Sequence, residues 1–106
     1  MATPTPPSVG RAAREIGAHF VTWRKLRGLT VGQVADRAGV SVNTVSRLAT
    51  DPGSVSLENT LRIARALGIL DPLVAAADPL STDIGRLRAG ERLPQRVRHP
   101  NVRDDA

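Results

Sequence analysis

The chain has 106 residues, which fits one domain with short tails, and its 15 Lys and Arg against 10 Asp and Glu give a formal net charge of +5. It contains no cysteine and two histidines, so we expect neither a disulfide scaffold nor a metal site. No apolar run approaches the roughly 20 residues of a membrane span, and a secretory signal pattern is missing, so we expect a cytoplasmic protein without membrane contact. Arg-rich chains of this size are typical binders of anionic partners.

The chain begins with a Pro-rich stretch, residues 1–10, that we interpret as a disordered arm. A first helix is predicted from about Arg11 to Arg27, and Gly28 ends it. We expect Phe20 and Trp23 of this helix to lie in the core. Its apolar residues recur at helical spacing: Ile16, Phe20, Trp23 and Leu26.

Two short helices follow. Thr30 and Gln33 form a capping-box pattern at the start of the second helix, which ends at Gly39. Ser41 is a favoured N-cap for a third helix over residues 42–50. We expect this third helix to bury Val45, Leu48 and Ala49 and to point four side chains outward: Asn43, Thr44, Ser46 and Arg47.

Ser56 caps a predicted fourth helix from Leu57 to Leu67, and a short fifth helix is predicted from Leu73 to Ala77. We expect one apolar face on the fourth helix, formed by Leu57, Leu61, Ala64 and Leu67. The fold class is therefore all-α, a five-helix domain over residues 11–78 followed by an Arg-rich C-terminal tail, residues 79–106. In the tail we expect at most one helical turn, around Ile84 and Leu87, and a contact with a partner or a second copy. A domain this small is marginally stable alone, so dimerisation would supplement its core.

The segment from Thr30 to Leu48 has the pattern of a helix-turn-helix. Gly39 allows the sharp turn, Val40 fills the corner between the helices, and Ser41 begins the next helix at once. This arrangement aims the start of a short polar helix at a groove about 12 Å wide, the width of the DNA major groove.

Several motifs make this resemblance specific. They are LRGLT at 26–30, VA at 34–35, GVS at 39–41, VSRL at 45–48 and LRIARALG at 61–68. Over about Gly17 to Leu70 the chain resembles the Xre/Cro family of phage-repressor-type helix-turn-helix domains. The resemblance implies a homodimeric transcription regulator that binds double-stranded DNA at a pseudo-palindromic operator and represses its own operon.

The family pattern implies roles for individual side chains. The DNA base-contacting positions correspond to Val42, Asn43, Thr44 and Arg47. The DNA phosphate-contacting candidates are Thr30, Gln33, Ser41, Ser46, Arg24, Lys25, Arg27 and Arg37. No catalytic residue, metal ligand or cofactor is implied.

The chain departs from the family pattern at two positions. Val31 stands where the family usually has a Gln that contacts phosphate and supports the recognition helix. Ala49 stands where the family often has Glu, which removes a structural polar contact. These departures affect the docking on DNA more than the fold.

Within this family the chain most resembles HipB-type antitoxins, through residues 83–89 and 93–98. That resemblance implies a HipA-like kinase toxin as a partner. The alternative function is therefore a protein-interaction module that neutralises a partner, with DNA binding secondary or lost. An enzyme is not expected, because neither paired carboxylates nor a P-loop or Ser/His/Asp pattern occurs.

Overall fold

The computed structural model describes residues 3–93, and every regular element within that range is helical. The α-helices are α1 (Pro7–Leu26), α2 (Val31–Ala38), α3 (Val42–Thr50), α4 (Leu57–Leu67), α5 (Leu70–Ala77) and α6 (Asp83–Arg92). Single 3₁₀ turns lie at Pro52–Ser54 and Pro79–Ser81. The predicted all-α fold is confirmed.

Local capping signals account for the bounds of α2, α3 and α4. At the start of α2 the Thr30 hydroxyl accepts a hydrogen bond from the Gln33 amide at 3.0 Å, and the Gln33 side-chain oxygen accepts one from the Thr30 amide at 2.9 Å. Ser41 and Ser56 cap α3 and α4 with their hydroxyls. Left-handed glycines follow α2 and α4, namely Gly39 and Gly68. The three N-caps and the glycine after α2 are as predicted.

The first helix begins earlier than predicted. It starts at Pro7, so the last residues of the expected disordered arm are helical. Proline at the first helical position has a suitable fixed φ, and its missing N–H would have had no helical partner. The Pro-rich composition of residues 1–10 therefore did not indicate that a helix begins at Pro7.

The last two helices are also longer than predicted. Helix α5 begins at Leu70 rather than Leu73, because Pro72 falls in its first turn, where no N–H is needed. Helix α6 extends well beyond the single turn expected around Ile84. Thr82 caps it, accepting a hydrogen bond from the Gly85 amide at 3.0 Å, and Arg86 pairs with Asp83 in its first turn.

The chain divides into two compact units, and the division falls after Asp71 rather than after residue 78. In the first unit α1 packs on α3 and α4, while α2 packs on α3 and α4. Its most deeply buried large side chains are Val34, Ile63 and Leu67. In the second unit α6 packs on the 3₁₀ turn at Pro79–Ser81. Predictions for residues 94–106 lie outside the described residues.

The face that α1 turns to the core differs from the predicted stripe. Phe20 is buried, as expected, but Trp23 is 37% exposed, and Ile16 and Leu26 are also exposed. Gly17 is buried instead, because α1 approaches α3 so closely that a Cβ at this position would lie 2.4 Å from the Leu48 carbonyl oxygen. A close helix crossing at a glycine thus sets the rotation of α1.

On α4 the predicted apolar face is wrong at one end. Leu57 is 73% exposed, whereas Ile63, which was not expected in the core, is almost fully buried. Ala64 and Leu67 are buried as predicted. The inward face of α4 is therefore centred on residues 63, 64 and 67.

Candidate nucleic-acid interface

A left-handed glycine and one backbone hydrogen bond form the turn between α2 and α3. Gly39 has a φ of +70°, a conformation that favours glycine, and the Val40 amide donates to the Ala35 carbonyl at 3.1 Å. Val40, in the turn, is half-buried. Because α3 begins immediately after Ser41, the turn holds the first turn of α3 at a defined angle to α2.

Helix α3 has one buried and one exposed face. Thr44 and Leu48 are buried and Val45 is half-buried, so these positions face the other helices. Asn43, Ser46 and Thr50 recur at i, i+3 and i+7 on the opposite side, and all are exposed. These three residues, 43, 46 and 50, define the outward polar face of α3, which is accessible to a binding partner.

Thr44 does not belong to the outward face. Its side chain is 7% exposed, and its hydroxyl lies 2.9 Å from the Ser41 hydroxyl, which also accepts a hydrogen bond from the Thr44 amide at 3.0 Å. The expectation that Thr44 points outward is therefore wrong. The threonine completes the cap of α3, a local use of short polar side chains that competes with outward presentation.

Val42 and Arg47 flank the outward face. Val42, at the first position of α3, is 53% exposed although it is apolar. Arg47 is half-buried, and its Nε is buried without a hydrogen-bond partner in the described part of the chain. A buried unpaired donor costs about 1–3 kcal/mol, so this side chain would gain from an external acceptor.

The polar phosphate candidates near the helix starts are engaged in caps. Thr30 and Gln33 bond each other across the start of α2, and Ser41 caps α3. All three are exposed, and neither helix has an acidic residue in its first turn. The first turns of both helices thus carry no carboxylate of their own to occupy the positive end of the helix dipole, which favours the approach of an anion.

The four basic candidates divide into two pairs. Arg24 donates from Nη1 to the Leu29 carbonyl at 2.7 Å, and Arg27 donates from Nε to the Leu67 carbonyl at 3.0 Å. Arg27 also lies over the Trp23 ring, with Cζ 5.2 Å from the ring centroid. Lys25 and Arg37 are exposed, and no ion pair involves them among residues 3–93. Of these four candidates, only Lys25 and Arg37 have no ion pair or side-chain hydrogen bond within residues 3–93.

The net positive charge of the chain lies within the segment that contains the helix-turn-helix. Residues 11–70 contain nine basic and four acidic residues, a balance of +5 that equals the net charge of the whole chain. This balance suits a polyanionic partner of the first unit. Within the described residues no cluster of three or more His, Cys, Asp or Glu could hold a metal ion, and no helix there has the length and apolarity to cross a membrane.

The two departures from the family pattern lie together. Val31 and Ala49 line one cavity of the first unit with Arg24 and Ser46. Ala49 is also exposed rather than inward-facing as expected. Sequence reasoning missed this cavity, because spacing along single helices does not show which side chains of three different helices meet.

Comparison with protein families places the match on the first unit. Residues 22–72 match the family described as helix-turn-helix. Neither the curated proteins nor the solved structures contain a match to this chain. The matched range includes the last turn of α1, the α2–turn–α3 segment and α4, and thus the outward polar face.

Proposed function

We propose that the protein is a transcription regulator that binds a specific double-stranded operator and represses its own operon. The match of residues 22–72 to the helix-turn-helix family supports this proposal. The outward polar face of α3 carries this proposal. Asn43, Ser46 and Thr50 are exposed on one side while Thr44 and Leu48 anchor the other, so the helix can enter a major groove without losing its core contacts.

Base recognition is assigned to the start and flank of α3. Asn43 is suited to bond the N6/N7 edge of adenine, and Arg47 the O6/N7 edge of guanine, while Val42 offers an apolar contact to a thymine methyl. The unpaired Nε of Arg47 supports its part in this set, because a rotamer change towards DNA would give the buried donor an acceptor. Thr44 is omitted because its side chain is buried.

Phosphate contacts are assigned to groups that remain available. Ser46 lies on the outward face, and Lys25 and Arg37 are exposed cations. Thr30, Gln33 and Ser41 hold the helix starts in shape, so that backbone amides at these starts meet phosphate oxygens. Arg24 and Arg27 are assigned to the fold, because each bonds a backbone carbonyl of its own chain.

The proposed regulator acts in the cytoplasm as a homodimer. A two-fold axis between copies would place two α3 helices in successive major grooves, with half-sites about 34 Å apart on a pseudo-palindrome. The size of the first unit supports this proposal, because a single short recognition helix contacts only a few base pairs and a small domain gains stability from a second copy.

Binding to the DNA immediately upstream of the gene tests the proposal. A gel shift at two salt concentrations, with random DNA as competitor, should give a specific complex of two protein copies whose affinity falls steeply with salt. Arg47→Ala should cost about 1–3 kcal/mol on the operator and relax the preference at one base pair. An equal loss on operator and random DNA would contradict base recognition by Arg47, and no specific shift at low salt would contradict the function.

A second candidate function is the neutralisation of a HipA-like kinase toxin. The second unit favours it, because Leu80, Ile84 and Leu87 are all more than half exposed there, an unusual density of exposed apolar side chains for so short a segment. Co-expression of the full chain with such a kinase, followed by co-purification, tests this role. Ile84→Asp with Leu87→Asp should abolish the complex without changing DNA binding, and an unchanged complex would exclude this surface.

A further inference from the structure

A largely apolar cavity of about 250 Å³ lies in the first unit, among α1, α2, α3 and α4. Phe20, Val34 and Ile63 form part of its apolar wall. Its few polar side chains are Arg24, Ser46 and Thr50. Apolar walls with a small number of polar groups are typical of sites for small organic molecules. Its volume lies just below the range of about 300–1,000 Å³ that is typical of ligand sites, which restricts the size of any occupant.

Among the described residues that line this cavity, Arg24 is the only charged one. The side chain is half-buried, and Nη1 donates to the Leu29 carbonyl at 2.7 Å. Among residues 3–93 no carboxylate lies within ion-pair distance of it. A partly buried guanidinium without a counter-ion is unfavourable, and its remaining N–H donors match a carboxylate in geometry.

The volume indicates how large the occupant is. A cavity of about 150 Å³ holds benzene, with six non-hydrogen atoms. By the same ratio, a cavity of about 250 Å³ accommodates roughly ten such atoms. A bare inorganic anion would leave the apolar walls unfilled.

We propose that this cavity binds a small organic monocarboxylate of about ten non-hydrogen atoms, with the carboxylate paired to Arg24 and the apolar body against Phe20 and Val34. Val31 and Ala49 leave room for it, since both line the cavity with short apolar side chains. Ser46 and Thr50 of α3 line the same cavity, so occupancy would also bias the position of α3 relative to α1. An effect on operator affinity rests on the proposed function, whereas binding of the carboxylate does not.

Calorimetric titration of the full chain, without DNA, tests the site directly. The probes are 3-phenylpropanoate and its uncharged analogue 3-phenylpropanamide. We expect the carboxylate to bind at least tenfold more tightly than the amide, because only the carboxylate forms charge-assisted hydrogen bonds with Arg24. Equal affinities, or no binding of either probe at millimolar concentration, would overturn the proposal.

Three variants locate the binding. Arg24→Gln should remove the preference for the carboxylate over the amide. Ala49→Leu fills the cavity and keeps Arg24, so it should lower the affinity for both probes at least tenfold. Arg65→Gln is the matched control, because Arg65 is an exposed cation of α4 outside the lining, and it should leave both affinities unchanged. Retained binding in Ala49→Leu would place the ligand elsewhere, even if Arg24→Gln proves too unstable to measure.

A gel shift with the upstream DNA, with and without 3-phenylpropanoate, separates the two proposals. Binding of the carboxylate in the calorimeter without any specific DNA complex would leave this site intact and contradict the proposed function. A specific DNA complex, formed by a protein that binds neither probe, would support the proposed function and overturn the carboxylate site.

Discussion

The Nε of Arg27 donates a hydrogen bond to the backbone carbonyl of Leu67 at 3.0 Å, and so joins the end of α1 to the end of α4. Leu67 is the last residue of α4, where the carbonyls have no helical partner and the helix dipole is negative. The same guanidinium lies over the Trp23 ring. Arg27 therefore stabilises the fold, although the family resemblance also implied a phosphate contact for this side chain.

Arg27→Gln should lower the free energy of unfolding by about 1 kcal/mol, since it removes a part-buried charge-assisted hydrogen bond and a cation–π contact. Urea unfolding of the full chain measures this loss. Lys25→Gln is the control, because the exposed lysine makes no such bond and should change stability by less than about 0.5 kcal/mol. Equal stabilities of the two variants would show that the Arg27 bond contributes nothing.

The same division between structural and available cations predicts the salt dependence of DNA binding. Lys25→Gln and Arg37→Gln should each lower the slope of log affinity against log salt by about 1, because each removes one phosphate contact. Arg27→Gln should leave the slope unchanged. Fluorescence anisotropy on random DNA at several salt concentrations measures the three slopes. A lower slope for Arg27→Gln would show that Arg27 also contacts DNA phosphate.

Neighbouring residues at the start of α3 should respond differently to substitution. Thr44→Val keeps the shape but removes the hydroxyl that faces Ser41, so stability should fall by about 1 kcal/mol with base preference unchanged. Asn43→Ala should leave stability nearly unchanged and cost about 1–3 kcal/mol of discrimination at one base pair. Denaturation and selection from a randomised DNA pool measure the two effects. An altered base preference in Thr44→Val would contradict the inward orientation.

The close approach of α1 to α3 makes Gly17 sensitive to one added carbon. A Cβ there would lie 2.4 Å from the Leu48 carbonyl oxygen, so Gly17→Ala should destabilise the domain by about 1–3 kcal/mol despite the better helix propensity of alanine. At Gly10 a Cβ would meet only the flexible end of Arg14, at 3.4 Å. Gly10→Ala should therefore stabilise the domain by up to about 1 kcal/mol. Thermal unfolding of both variants compares them, and a stabilised Gly17→Ala would show that the two helices separate easily.

The sequence was sufficient wherever a signal acts over one helical turn. Thr30 with Gln33, Ser41 and Ser56 predicted the starts of α2, α3 and α4, because a cap bonds an amide only two or three residues away. Gly39 predicted the sharp turn for the same local reason. The helix-turn-helix interpretation required nothing beyond these short-range bonds and the apolar spacing between them.

Tertiary packing decided which side chains of each helix are exposed and which are buried or bonded within the fold. Trp23 and Leu57 are apolar yet exposed, because the rotation of each helix depends on the helices against which it packs; Gly17 at the Leu48 carbonyl sets that of α1. Arg24 and Arg27 are bound to backbone carbonyls, and Arg27 reaches one that lies forty residues away along the chain. The cavity lined by Arg24, Val31 and Ala49 exists only where four helices, α1 to α4, meet. Spacing along a helix gives the relative positions of its own side chains, but burial and charge pairing depend on distances between helices.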